Sequence, residues 1–141
     1  MAQFRVERTT SVPVEATWAR LTDWERHGDF IPLTSVTRTG EGAGSFFNAR
    51  TALGPIGFDD LMEVTQWRPP EPGAAGLCRI EKRGHVITGW AELTVSPTAD
   101  GTRVSWLEDA TIRHTAGVLD FPIRILSARV FGRLIDALLR T

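Results

Sequence analysis

The sequence predicts an α+β fold: one strand, two short helices, about six further strands paired antiparallel, and a long C-terminal helix. Three observations carry that expectation. From Thr34 onward, apolar and polar residues alternate in strand-length runs separated by Gly- and Pro-rich turns. Between Ser11 and Gly28 apolar residues recur at spacings of three and four. From residue 121 to residue 140 the chain is apolar on most sides of a helix.

The elements follow in order. In "FRVERTTSV" (4–12), Phe4 and Val6 oppose Arg5 and Glu7, the two-residue period of a half-buried strand. Ser11 precedes Pro13, and Val14, Trp18 and Leu21 then define an amphipathic helix with Ser11 as its expected cap. "TDWE" has the form of a capping box, Thr22 with Glu25, opening a short helix over Asp23 to His27 with Gly28 as a left-handed exit. These assignments make "DWERHGDFIPLTSV" a structural hinge rather than a catalytic cluster.

Strand signals then continue through "SVTRT", "SFFNARTAL", "FDDLMEVTQW", "LCRIEKR", "HVITGWAELTVS" and "TRVSWLEDATIRH". The turns between them include "GEGAG" (40–44), "GPIG" (54–57), "RPPEPGAAG" (68–76) and "PTADG" (97–101). Connections this short favour an antiparallel meander. Asp120 is placed to cap the last helix, with Pro122 in its first turn. At about 100° per residue, Arg129, Arg133, Asp136 and Arg140 form one narrow polar stripe. The remaining surface, with Ile125, Leu126, Phe131, Leu134, Ile135 and Leu138, needs cover from a curving sheet or from another chain, so a homodimer is an open alternative. Arg124 interrupts that apolar arc.

Composition excludes several classes. A net charge of -1 gives no broad nucleic-acid footprint. One cysteine, Cys78, allows no internal disulfide or cysteine-rich metal set and reads as a small buried strand residue. No secretory signal opens the chain, and no apolar run reaches the roughly 20 residues that span a bilayer, so no membrane insertion and a cytoplasmic location are expected. His27, His85 and His114 lack metal-ligand spacing, and no nucleotide-binding glycine motif is present. No metal and no cofactor are therefore expected.

The pieces "SVPVEATWARLTDWERHGDFIPL", "GAGSFF", "DGTRVSW" and the terminal amphipathic helix resemble, in order and spacing, the START-like or SRPBCC superfamily of polyketide cyclases and dehydrases, lipid-transfer proteins and birch-pollen-allergen relatives. The resemblance covers the chain as one domain, 1–141. It implies the helix-grip fold, a curved antiparallel sheet of about seven strands wrapped around the last helix, with an apolar cavity between them. It also implies a small, mostly apolar ligand. Fold alone does not choose between a cyclase or dehydratase, a non-catalytic carrier and a protein-interaction module.

Within such a cavity polar residues are the candidates for chemistry, because a buried charge is costly unless paired or used. If Val104 and Trp106 face inward, so does Glu108; a bulge or sheet edge would instead release it to water. The inward set of Val64 and Met62 brings in Asp60 and Phe58, whereas the other register brings in Asp59 and Leu61. Phe46 and Phe47 compete in the same way, the Phe47 set being more apolar. Leu93 and Val95 imply Ile87 and His85 on the inner face. The expected catalytic groups are Arg124, Glu108 and Asp60, with Arg124 holding a ligand anion while a carboxyl moves a proton; a structural ion pair is the alternative reading. The expected lining is Phe47, Phe58, Met62, His85, Ile87, Trp106 and Phe131, with Trp24 and Phe30 at the mouth. The chain has no tyrosine, a departure from the usual polar equipment of cyclase pockets in that superfamily.

Overall fold

A computed structural model describes residues 2–113 and 120–140. The chain runs β1 (Ala2–Thr10), α1 (Val14–Leu21), α2 (Trp24–His27), β2 (Thr34–Thr39), β3 (Phe46–Leu53), β4 (Ile56–Arg68), β5 (Gly76–Lys82), β6 (Ile87–Thr98), β7 (Gly101–Ile112) and α3 (Asp120–Arg140). His114 and the side chain of Asp120, the expected helix cap, lie outside the described residues.

Because every connection from β2 to β7 is short, neighbouring strands pair antiparallel, and β1 closes against β7 to give the order β1-β7-β6-β5-β4-β3-β2. This is the helix-grip arrangement. Residues directly opposite on antiparallel strands share a face, so register decides what looks inward. One inner row runs Val64, Ile80, Ala91, Glu108 and Phe4, and beside it Phe47, Met62 and Lys82 stand opposite one another. Helix α3 lies on this face, against β1 and α1. Its Leu134, Ile135 and Leu138 are fully buried with Leu93, Val95 and Val104, where shortening one side chain to alanine costs about 2–5 kcal/mol. The polar stripe faces out, and Arg8 Nε donates to Asp136 Oδ1 at 2.8 Å.

Three local expectations are corrected. Ser11 does not cap α1: Pro13 occupies the cap position with extended backbone, and Thr17 Oγ1 donates to the Val12 carbonyl instead. The Thr22–Glu25 box does not form, because Thr22 Oγ1 donates back to the Trp18 carbonyl at 2.8 Å and Glu25 turns toward Arg38. Gly28 is right-handed (φ -62), not a left-handed exit. It is glycine because an added Cβ would sit 3.0 Å from the Val36 amide nitrogen, where the loop crosses β2. The left-handed residue of this loop is Leu33, at φ 61.

Strand β4 carries a bulge between Val64 and Gln66. An extra residue reverses the alternation, so Val64 points inward before it and Trp67 meets Trp18 after it, at 5.1 Å between rings. The cover over α3 is also incomplete. Ile125 and Leu126 remain 40% and 64% exposed, and Leu126 borders an open space between the helix and the sheet.

Candidate functional site

Between the sheet, α2 and the first half of α3 lies a cavity of about 320 Å³. That volume is at the small end for a ligand site. Its wall is mainly apolar: Ile31, Val36, Phe47, Phe58, Met62, Ile80, Ile87, Trp106 and Phe131 all contribute. Phe47 is stacked on Trp24 at 4.6 Å and Trp106 on Phe131 at 5.3 Å, which fixes two flat aromatic surfaces in the wall. A wider open groove outside, along residues 28–35 with Arg50 and Ala52, shares Ile31 and Thr34 with the cavity and borders its mouth.

Three charged side chains interrupt this wall: Asp60 from β4, Lys82 from β5 and Glu108 from β7. Their side chains are 13%, 5% and 7% exposed. Lys82 Nζ donates to Asp60 Oδ2 at 2.7 Å and lies 3.8 Å from Glu108 Oε2. Trp106 Nε1 donates to Glu108 Oε1 at 3.1 Å. On β6 the residues facing the group are Gly89 and Ala91, small enough for Lys82 to reach across. A side chain at Gly89 has no room, since its Cβ would fall 1.8 Å from the Asp109 carbonyl oxygen.

Burial and neighbouring charge act on Lys82 and Glu108. Burial alone would discharge Lys82, but the charges of Glu108 and Asp60 outweigh it, and its pKa lies above the ordinary lysine value. Glu108 is governed by burial, which raises its pKa despite the opposing pull of Lys82 and the Trp106 N–H. The tight ion pair is Lys82 with Asp60, at 2.7 Å, against 3.8 Å to Glu108. Asp60 Oδ1 is buried without a hydrogen-bond partner. The site thus presents an ammonium donor and two carboxyl groups within one apolar chamber, and burial raises the pKa of one of them, Glu108. Among the described residues no three His, Cys, Asp or Glu side chains come together as a metal would require.

The structure brings together most of the expected lining. Asp60 and Phe47 are the inward members of their pairs, while Asp59 faces out, bonded to Asn48 and paired with Arg50. Glu108, Phe58, Met62, Ile87, Trp106 and Phe131 border the cavity. Four residues do not. Arg124 is exposed on the uncovered turn of α3, away from the cavity wall. His85 is exposed because β6 begins only at Ile87. Trp24 is buried behind Phe47 rather than at the mouth, whereas Phe30, though not in the wall, lines the groove that borders the mouth, under Arg26.

Lys82 and His27 are among the lining residues that were not expected. Lys82 continues the Cys78, Ile80 alternation of β5, so the two-residue period already placed it inward. His27 looked like a helix end, and nothing in its spacing set it in a cavity wall. Cys78 is buried as expected, with its thiol pushed up to about 12 by burial.

The profile of the family described as polyketide cyclase / dehydrase and lipid transport matches residues 1–141. Solved structures share the fold. TTHA0849 from Thermus thermophilus is 20% identical, with a TM-score of 0.76 over 98% of this chain and 94% of that one. A STAR-related lipid transfer protein fragment from Xanthomonas axonopodis is 16% identical, TM-score 0.72, over 99% and 86%. Norcoclaurine synthase from Thalictrum is 10% identical, TM-score 0.67, over 98% and 94%. No curated protein matches the sequence. No helix among the described residues is long and apolar enough to cross a membrane.

Proposed function

Since the chain belongs to the polyketide cyclase / dehydrase and lipid transport family, we propose that it binds a small, mostly apolar ketone in the cavity and moves protons on it through Asp60, Lys82 and Glu108. The observation that carries this reading is the buried trio itself. A buried ion pair adds little stability over apolar residues of the same volume, so three ionisable groups in an apolar wall suit chemistry better than folding. In a β-hydroxy ketone, Asp60 takes a proton from the carbon beside the carbonyl while a Lys82 N–H donates to the oxygen that gains charge. Glu108 gives its proton to the departing hydroxyl, which leaves as water as the C=C bond forms. Asp60 is then protonated and Glu108 ionised, and a proton returns across the Lys82 bridge.

The first half of that cycle is testable without knowing the natural ligand. In D2O, 2-tetralone exchanges its α-protons for deuterium, and NMR follows the rate. The protein should accelerate exchange above buffer, and Asp60→Asn should lower the acceleration about 100-fold while near-ultraviolet circular dichroism stays native. Exchange no faster than in buffer would remove the acid–base reading. A carrier role is the second reading, supported by the largely apolar wall; native mass spectrometry of freshly purified protein would then show an unaltered apolar molecule bound.

A further inference from the structure

His27 lines the cavity yet has no part in the chemistry above. Its Nε2 lies 2.9 Å from the Leu21 carbonyl oxygen. A carbonyl only accepts, so Nε2 carries the hydrogen, and in a neutral imidazole the lone pair then belongs to Nδ1. Nδ1 makes no hydrogen bond among the described residues. The only buried side-chain nitrogens or oxygens without a partner there are Asn48 Oδ1 and Asp60 Oδ1, so Nδ1 is not sealed off. The open space that His27 borders is the cavity.

Of the other polar side chains in the wall, Thr34 and Thr51 bond each other at 2.9 Å and Asp60, Lys82 and Glu108 form their cluster, in which Asp60 Oδ1 stays unpartnered; Ser127 of α3 also lines the cavity. The imidazole is held between Trp24 and Trp106, at ring separations of 5.3 and 6.1 Å. Burial keeps it uncharged near neutrality, its pKa lowered to about 4.

We infer that His27 is a ligand-binding residue whose Nδ1 accepts a hydrogen bond from a hydroxyl on an apolar guest, so that the cavity selects phenols and alcohols over their O-methylated counterparts. This rests on the cavity being the ligand site. Trp106 neighbours both His27, at 6.1 Å between rings, and Glu108, through Nε1 at 3.1 Å, so a flat guest along the indole would set its hydroxyl at the imidazole with its far end toward the charged trio.

The test compares 2-naphthol with 2-methoxynaphthalene by isothermal titration calorimetry. Wild type should bind the naphthol about five- to tenfold more tightly, as one added hydrogen bond allows. In His27→Phe that ratio should fall to about one while 2-methoxynaphthalene still binds. His27→Gln, whose amide can donate to Leu21 and accept from the guest, should keep part of the preference. No preference in wild type, or one undiminished in His27→Phe, overturns the proposal; the second result would assign the hydroxyl to the Asp60–Lys82–Glu108 group or to Ser127. Should His27→Phe fail to fold, ¹⁵N NMR of wild type decides: the Nδ1 resonance should move upfield with 2-naphthol and not with the ether, and an unmoved signal overturns the assignment. Binding of neither probe would instead overturn the cavity as the ligand site, and this inference with it.

Discussion

His27 shows how one side chain can couple binding to stability. Unfolded, it takes up a proton near 6.5; folded, burial lowers that to about 4. Between those values the unfolded chain binds more protons, so the stability linked to His27 is intact above pH 6.5 and is lost as pH falls toward 4. The loss is on the order of 3 kcal/mol. Urea unfolding at pH 7 and pH 4.5 should show it, and His27→Gln should unfold with a flatter pH dependence over that interval; an equally steep profile in the variant would assign the effect to the carboxyls. Lys82 teaches a different lesson at the same scale. Its inward position was legible from alternation with Cys78 and Ile80, but its meaning was not, because pairing with Asp60 and Glu108 joins three strands far apart in sequence.

At the scale of elements, the strands were legible because a two-residue period survives any tertiary context that buries one face. Caps were less so. Thr22 has several backbone partners within reach, and the one it takes, the Trp18 carbonyl, closes α1 instead of opening α2. The β4 bulge likewise leaves no mark in "MEVTQW", yet it turns Trp67 inward in place of Gln66. The loop from Gly28 to Leu33 allows a paired prediction. Gly28→Ala keeps an allowed backbone but drives its methyl against β2, and should destabilise by about 1–3 kcal/mol. Leu33→Gly relieves a left-handed leucine whose side chain is 60% exposed, and should stabilise by about 0.5–1 kcal/mol. Thermal unfolding of the two variants should therefore shift in opposite directions, and a shared sign would refute the steric account.

For the molecule as a whole, the covered half of α3 and the central strands form one packed unit, whereas the cavity is bordered by Ile31 and Thr34 of the loop and by the part of α3 that the sheet leaves open. Amide exchange should be slowest in β6 and β7 and faster at residues 28–34, and an apolar guest such as 2-naphthol should slow the loop selectively. A loop as protected as β7 without any guest would argue against its control of access. The sequence by itself determined the order of elements, the antiparallel sheet, the apolar helix and the inward faces of most strands, because each follows from local periodicity. Only the tertiary structure decided that Arg124 and His85 stand outside the cavity while Lys82 and His27 stand within it. The reason is physical: a period of two or 3.6 states which face a residue occupies, but where the sheet stops covering the helix, and which charges then meet across strands, depends on register and curvature that no local pattern encodes.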